Sequence, residues 1–256
     1  MTDTTDEGRP AATVIIVRER AGEAPEFLMT ERASTMAFAA GALVFPGGAV
    51  DPADHDLAAS LDHGLEPDEA AARIAAIRET LEESGLGVGI AGGVDMSMLV
   101  EMRAELESGV PLGDLIAARG LSLDLSALVP FARWHPGRIE NAPRVYDTRF
   151  YLARAPEDQE PSVDDHENVH LFWGSATAIF ARCDAGEARI IFPTRRNLER
   201  LGQFACYDDL CAHAASIPIE KVRPWIEERD GGRVLCIPTH LGYPVTSEPM
   251  AAVLRA

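Results

Sequence analysis

The sequence predicts an α/β domain, on the basis of three observations. Residues 12–18 (ATVIIVR) form a β-branched, apolar run that is typical of a buried strand. Residues 67–84 carry apolar side chains at helical spacing, which indicates a helix packed on a sheet. The chain has 256 residues, of which 46% are hydrophobic, so it can bury a substantial core. We therefore expect one enlarged domain over residues 11–256, preceded by a flexible N-terminus at 1–10.

The other elements follow from turn residues and local composition. A hairpin is predicted across Gly22 and Pro25, and a helix is predicted to begin at Pro67 and to end at Gly85. The stretch from residue 218 onward is punctuated by prolines and is left unassigned. The predicted strands are 12–18, 26–30, 41–45, 127–134, 147–153 and 169–173. The predicted helices are 67–84, 94–107, 111–119, 175–184, 195–203 and 207–215.

Composition excludes some classes of function. A net charge of −18 argues against general nucleic-acid binding, which requires a basic surface. No apolar run reaches 18 residues, so no membrane span is expected. The first ten residues lack the basic and apolar regions of a signal peptide, which favours a cytoplasmic location. The four cysteines form no Cys-x-x-Cys pair and are interpreted as small buried side chains.

The segment RETLEESGL at residues 78–86 carries the strongest chemical signal. On a helix, Glu79, Glu82 and Glu83 share one face, where three like charges oppose folding unless a cation is bound there. Clustered carboxylates are the ligands that hard divalent ions such as Mg²⁺ prefer. The turn FPGG at residues 45–48 precedes this helix, and its two glycines leave the backbone open to close approach.

Together these two motifs resemble the Nudix hydrolase family. Its box runs Gly, five residues, Glu, seven residues, then Arg-Glu-hydrophobic-x-Glu-Glu-x-Gly. The second half is present here, with Thr80 in the hydrophobic position. The first half is expanded by about 16 residues, which we interpret as an insertion at about 49–65. Counted back from Arg78, the first box glutamate falls on Ala70, which leaves open whether Glu69 or Glu66 replaces it.

A longer match points to one subgroup of that family. Residues 28–48 (LMTERASTMAFAAGALVFPGG) resemble the signature of the peroxisomal-type coenzyme A diphosphatases. The resemblance implies a mixed β-sheet between helices, with a helical insertion at about 94–120. It implies hydrolysis of coenzyme A or an acyl-coenzyme A to a phosphopantetheine and adenosine 3′,5′-bisphosphate. Two alternatives remain: hydrolysis of ADP-ribose or NADH-type dinucleotides, and a nucleotide-binding regulator without turnover.

The resemblance also implies roles for single residues. Glu79, Glu82 and Glu83 would hold Mg²⁺ or Mn²⁺ together with a backbone carbonyl of Gly47 or Gly48. Arg78 would point away from the metal and orient a glutamate. Gly48 and Arg32 would contact the substrate, while the general base would be Glu79 or, as second choice, Glu167. The helical pair could cover the site, form a homodimer surface or pack against the core.

Overall fold

The computed structural model describes residues 8–32, 41–135, 145–163 and 168–253, with the backbone alone for residues 32, 168 and 169. Its strands are β1 (Arg9–Arg18), β2 (Glu26–Arg32), β3 (Leu43–Val44), β4 (Gly47–Ala49), β5 (Ile90–Ala91), β6 (Ser122–Leu123), β7 (Val129–Trp134), β8 (Tyr146–Arg154), β9 (Asn168–Gly174), β10 (Lys221–Val222), β11 (Trp225–Arg229), β12 (Gly232–Cys236) and β13 (Ser247–Pro249). Its helices are α1 (Pro52–Ser60), α2 (Pro67–Ser84), α3 (Met96–Glu107), α4 (Leu112–Arg119), α5 (Ala176–Asp184), α6 (Phe192–Leu201), α7 (Tyr207–Ser216) and α8 (Met250–Val253).

The main sheet is mixed and has eight strands in the described part of the chain. Six follow the order β10-β7-β8-β1-β2-β3, while β4 pairs with β1 and β9 pairs with β2. β1 runs parallel to β8 and antiparallel to β2 and β4. In the pairing with β4, Thr13 lies opposite Gly47 and Ala12 lies opposite Gly48. The glycine turn is thereby attached to the central strand.

Helices cover both faces of this sheet. Val14 and Ile16 of β1 pack into one core with the apolar side of α2, together with α3 and α4. Ile15 and Val17 point to the opposite face, where α5, α6 and α7 form a second core. This alternation is the period of two that a strand imposes, and it explains why residues 14–17 of β1 are all apolar. The predicted mixed sheet between layers of helices is confirmed.

Individual elements agree with the sequence to different degrees. α2 has the predicted bounds, and Gly85 ends it in the left-handed conformation with φ of 71°. α6 begins three residues before its predicted start because Pro193 occupies its first turn, where proline is tolerated. The stretch after residue 218 forms β10 and the small sheet β11-β12-β13. Of the described helices, none combines the length and apolar character that crossing a bilayer requires.

Candidate metal and active site

The two glycines of the turn are closely packed, Gly47 against β1 and Gly48 against the side chain of Glu79 on α2. At Gly47, with φ of 153°, an added Cβ would lie 2.3 Å from the carbonyl oxygen of Ala12. At Gly48, an added Cβ would lie 2.3 Å from Cδ of Glu79. The carboxylate of Glu79 therefore rests directly against the backbone of the turn. Any larger residue at position 48 would displace it.

Glu83 joins α2 to the same turn. Its Oε2 accepts a hydrogen bond of 2.9 Å from the backbone N–H of Gly47. The side chain is only 5% exposed, since α2 presses this turn of the helix onto β4. The helix and the turn thus form one rigid unit that presents carboxylates beside bare backbone.

Arg78 lies among the glutamates rather than away from them. Its Nη1 donates to Oε1 of Glu79 at 2.8 Å and to Oε2 of Glu82 at 3.0 Å. The expectation that Arg78 points off the metal face was therefore wrong. Arg78 and Glu82 are four residues apart and so lie on one side of α2, and the guanidinium offers several donors to the nearest carboxylates.

Asp54 is the buried partner of Arg78, and sequence reasoning missed it. Nε and Nη2 of Arg78 donate to Oδ1 and Oδ2 of Asp54 at 3.1 and 3.0 Å, and Asp54 is only 2% exposed. Nη2 also donates to the carbonyl of Ala49 at 3.0 Å. Neither residue proposed from the sequence takes this place, because Glu69 pairs with arginines 73 and 149, and Glu66 is exposed.

The spacing of the box explains why Asp54 takes this role. Five residues separate Gly48 from Asp54, which is the spacing that the Nudix box prescribes between its glycine and its first acid. The extra residues therefore lie between Asp54 and Arg78, and the expected position at Ala70 was wrong. Counting forward from Gly48, instead of back from Arg78, would have identified Asp54.

Crowded negative charge perturbs the site. Burial, with the charges of Glu82 and Asp51, raises the pKa of Glu79 to about 7 even though Arg78 opposes the shift. Burial also raises the pKa of Glu82. Burial alone would lower the pKa of Arg78, but its hydrogen bond to Asp54 and the nearby carboxylates outweigh this and raise it. One guanidinium thus faces four carboxylates, so the site carries an excess of negative charge.

This donor set fits a divalent cation. Oxygen donors with excess negative charge suit Mg²⁺ or Mn²⁺, and the backbone at Gly48 leaves the carboxylate of Glu79 unobstructed. Glu79 and Glu82 are turned toward Arg78, and Glu83 is turned toward Gly47. In this arrangement the described residues contain no group of three acidic, histidine or cysteine side chains that could hold a metal ion. The assignment of the three glutamates and the Gly47 carbonyl as ligands stays a prediction.

Two predicted site residues cannot be placed. The side chain of Arg32 and the whole of Glu167 lie outside the described residues, so their roles in substrate binding and as second base stay predictions. The backbone register pairs Arg32 at the end of β2 with Asn168 at the start of β9. Asn168 directly follows Glu167 in the sequence.

Comparison with known proteins agrees with this geometry. No family model matches the chain. The chain is 28% identical, over an alignment of 255 residues, to the acyl-coenzyme A diphosphatase NUDT19 of Gallus gallus, covering 78% of this chain and 67% of that protein. The structure of a NUDIX hydrolase from Alicyclobacillus acidocaldarius superposes with a TM-score of 0.71 at 29% identity, covering 81% of this chain and 97% of that one. The chain therefore resembles Nudix hydrolases in sequence and in fold. The counterpart of the Nudix box in this chain consists of the Gly47–Gly48 turn, Asp54 and the acidic end of α2.

Proposed function

We propose that this Nudix hydrolase cleaves the diphosphate linkage of coenzyme A or an acyl-coenzyme A in a reaction that requires Mg²⁺ or Mn²⁺. The observation that carries the proposal is the attachment of α2 to the glycine turn through Glu83 and Gly47, with Glu79 seated on Gly48. The substrate class is supported by the signature at residues 28–48 and by the named activity of the chicken relative.

The residues of the site would divide the work. Glu79, Glu82 and Glu83 would hold the cation, and Arg78, fixed by Asp54, would keep the first two in place. A bound cation would neutralise phosphate oxygens and would lower the pKa of water. Water attacks one phosphorus, the bond from that phosphorus to the bridging oxygen breaks, and a carboxylate takes the proton of the water. Glu79 is the first candidate for that base and Glu167 is the second.

Two other functions remain as alternatives. ADP-ribose and NADH-type dinucleotides contain the same linkage, so the box alone does not separate them from coenzyme A. The lack of an acid at position 70 kept a regulator without turnover open as an alternative. Asp54 now supplies a carboxylate to Arg78, so that argument loses its force.

A panel of diphosphates incubated with Mg²⁺ and analysed by mass spectrometry tests the proposal. Coenzyme A, acetyl-coenzyme A, ADP-ribose and NADH form the panel, and each is repeated with excess chelator. Phosphopantetheine with adenosine 3′,5′-bisphosphate, formed only with the metal, supports the proposal. AMP and ribose phosphate as the main products would move the substrate to ADP-ribose. No product from any compound would favour the regulator, and undiminished activity in chelator would refute the metal requirement.

A further inference from the structure

A cavity of about 460 Å³ lies on the face of the sheet opposite α2. It is formed by the loop between α5 and α6, by α6 itself and by α8. Its lining includes Cys183, Ile190 and Ala252, together with the charged residues Arg189, Arg195 and Glu248. The volume falls within the range of roughly 300 to 1,000 Å³ that small-molecule pockets occupy. Neither the Nudix box nor the signature at residues 28–48 includes these residues.

Arg195 gives this cavity an unsatisfied positive group. Within the described residues it forms no ion pair, and its Nε is buried without a hydrogen-bond partner. Its guanidinium lies 5.4 Å from the ring centroid of Phe180, which restrains its orientation. A buried donor without an acceptor is unfavourable, so an acceptor supplied by a ligand would stabilise this arrangement.

The arginines beside this cavity lie among carboxylates, since Glu199 interacts with both Arg195 and Arg196. Oε2 of Glu248 lies 3.0 Å from Nη2 of Arg196, so the neighbouring arginine balances this carboxylate. Burial lowers the pKa of Arg196, Glu199 and Glu248 counteract this, and the positive charge of Arg195 lowers it further. Arg189 adds a second guanidinium to the lining.

We propose that this cavity binds a phosphate monoester, with Arg195 as the main ligand and Arg189 beside it. A guanidinium matches phosphate oxygens with two parallel hydrogen bonds, and the apolar lining from Ile190 and Ala252 suits the organic part of such a molecule. The proposal goes beyond hydrolysis, since it concerns a separate surface of the molecule.

The phosphate could belong to the substrate or to a second ligand. The carbonyl of Arg189 accepts a 2.7 Å hydrogen bond from the N–H of Leu43, the first residue of β3. Gly47 follows four residues later, so the chain places it at most about 14 Å from Leu43, which adjoins this wall of the cavity. That distance permits one extended substrate to reach both places, and it equally permits two ligands.

Direct binding in the presence of chelator tests the site without the metal centre. AMP is titrated by calorimetry into the full chain, its R195Q variant and its R182Q variant. Arg182 is the matched control because it also lies near Cys183 and stacks on an aromatic ring, but it is 39% exposed and does not line the cavity. We expect R195Q to weaken binding by about tenfold or more and R182Q by less than about threefold. Equal weakening in both variants, or none in R195Q, would overturn the proposal.

A second measurement needs no variant. Cys183 lines the cavity, whereas Cys206 and Cys211 are partly exposed elsewhere and serve as internal controls. We expect AMP to slow alkylation of Cys183 by about fivefold or more at saturation, with little change at the controls, as read by peptide mass spectrometry. Unchanged alkylation of Cys183 at saturating AMP would refute binding in this cavity.

Kinetics of R195Q then identify the source of the phosphate. A higher KM with unchanged kcat places a phosphate of the substrate in the cavity, because only binding is lost. Unchanged kinetics together with lost AMP binding place a separate ligand there. If no diphosphate is hydrolysed at all, the calorimetry and the alkylation still show whether the cavity binds a phosphate monoester, independently of the proposed hydrolysis.

Discussion

Replacing Asp54 by asparagine tests the assignment of the acid that holds Arg78. The variant keeps the shape of the side chain but replaces the carboxylate by a neutral amide. That carboxylate accepts hydrogen bonds of 3.1 and 3.0 Å from the buried guanidinium of Arg78. Removing one partner of a buried ion pair costs about 3–5 kcal/mol. Arg78 retains Glu79 and Glu82, and asparagine can still accept one hydrogen bond. We therefore expect D54N to lower the free energy of unfolding by about 2–3 kcal/mol.

Urea denaturation at pH 7 measures this change, and two variants provide the comparison. E69Q removes a carboxylate that pairs with arginines 73 and 149 at a half-buried position, and we expect a loss of about 1 kcal/mol. E66Q changes an exposed side chain and should cost less than about 0.5 kcal/mol. If turnover is detected, D54N should also reduce it, since Arg78 would lose its fixed position. If D54N is as stable as E66Q and E69Q is the least stable of the three variants, our assignment of the acid that holds Arg78 is refuted.

Three further predictions concern the site and its surroundings. E83Q should lower kcat by about 100-fold or more without unfolding the protein, while the exposed control E101Q keeps wild-type rates. G48A should reduce kcat by about tenfold or more, because its Cβ would lie 2.3 Å from Cδ of Glu79 and would displace that carboxylate. A fully active variant would contradict the close contact between Glu79 and Gly48. Burial raises the pKa of Asp147, but hydrogen bonds from arginine 133 and lysine 221 outweigh it and lower the pKa to about 2. A carboxyl group whose pKa is lower in the folded state stabilises the fold at pH values above its unfolded-state pKa of about 3.9. D147N should therefore lower the free energy of unfolding by about 2 kcal/mol at pH 7, and its difference from the wild type should vanish as the pH falls through about 2. A loss of stability in D147N that does not change with pH would contradict this prediction.

The elements with clear local signals could be predicted from the sequence. α2 was predicted with its observed bounds because Pro67, the spacing of its apolar side chains and Gly85 all indicate the same helix. β1 was predicted from its β-branched composition, and its burial on both faces accounts for that composition. α1 was not predicted as a helix because Pro52 and several aspartates suggested turns. The first turn of α1 is stabilised by reciprocal hydrogen bonds between Asp51 and Asp54. These bonds require the helical backbone, so the two aspartates alone do not predict the helix.

The site was predicted in its residues but not in its contacts. Helical spacing places Glu79, Glu82 and Glu83 on neighbouring turns, and the structure has them there. The same spacing gives only the direction of each Cβ and does not say where the end of a long side chain lies. Arg78 illustrates this limit, since the spacing along α2 does not reveal that its guanidinium lies between Glu79 and Asp54.

The expanded box is tolerated because the contact that defines it does not depend on the length of the connection. In this chain 23 residues separate Asp54 from Arg78, where the compact box has seven. Most of these residues belong to α1 and α2, and only residues 61–66 lie outside the two helices. Breaking the buried pair between the two residues would cost about 3–5 kcal/mol. The added segment is also partly ordered, since Ala58 of α1 is buried in the core that contains α2. The box can therefore lengthen at this point while its acid, its arginine and its glycines keep their places.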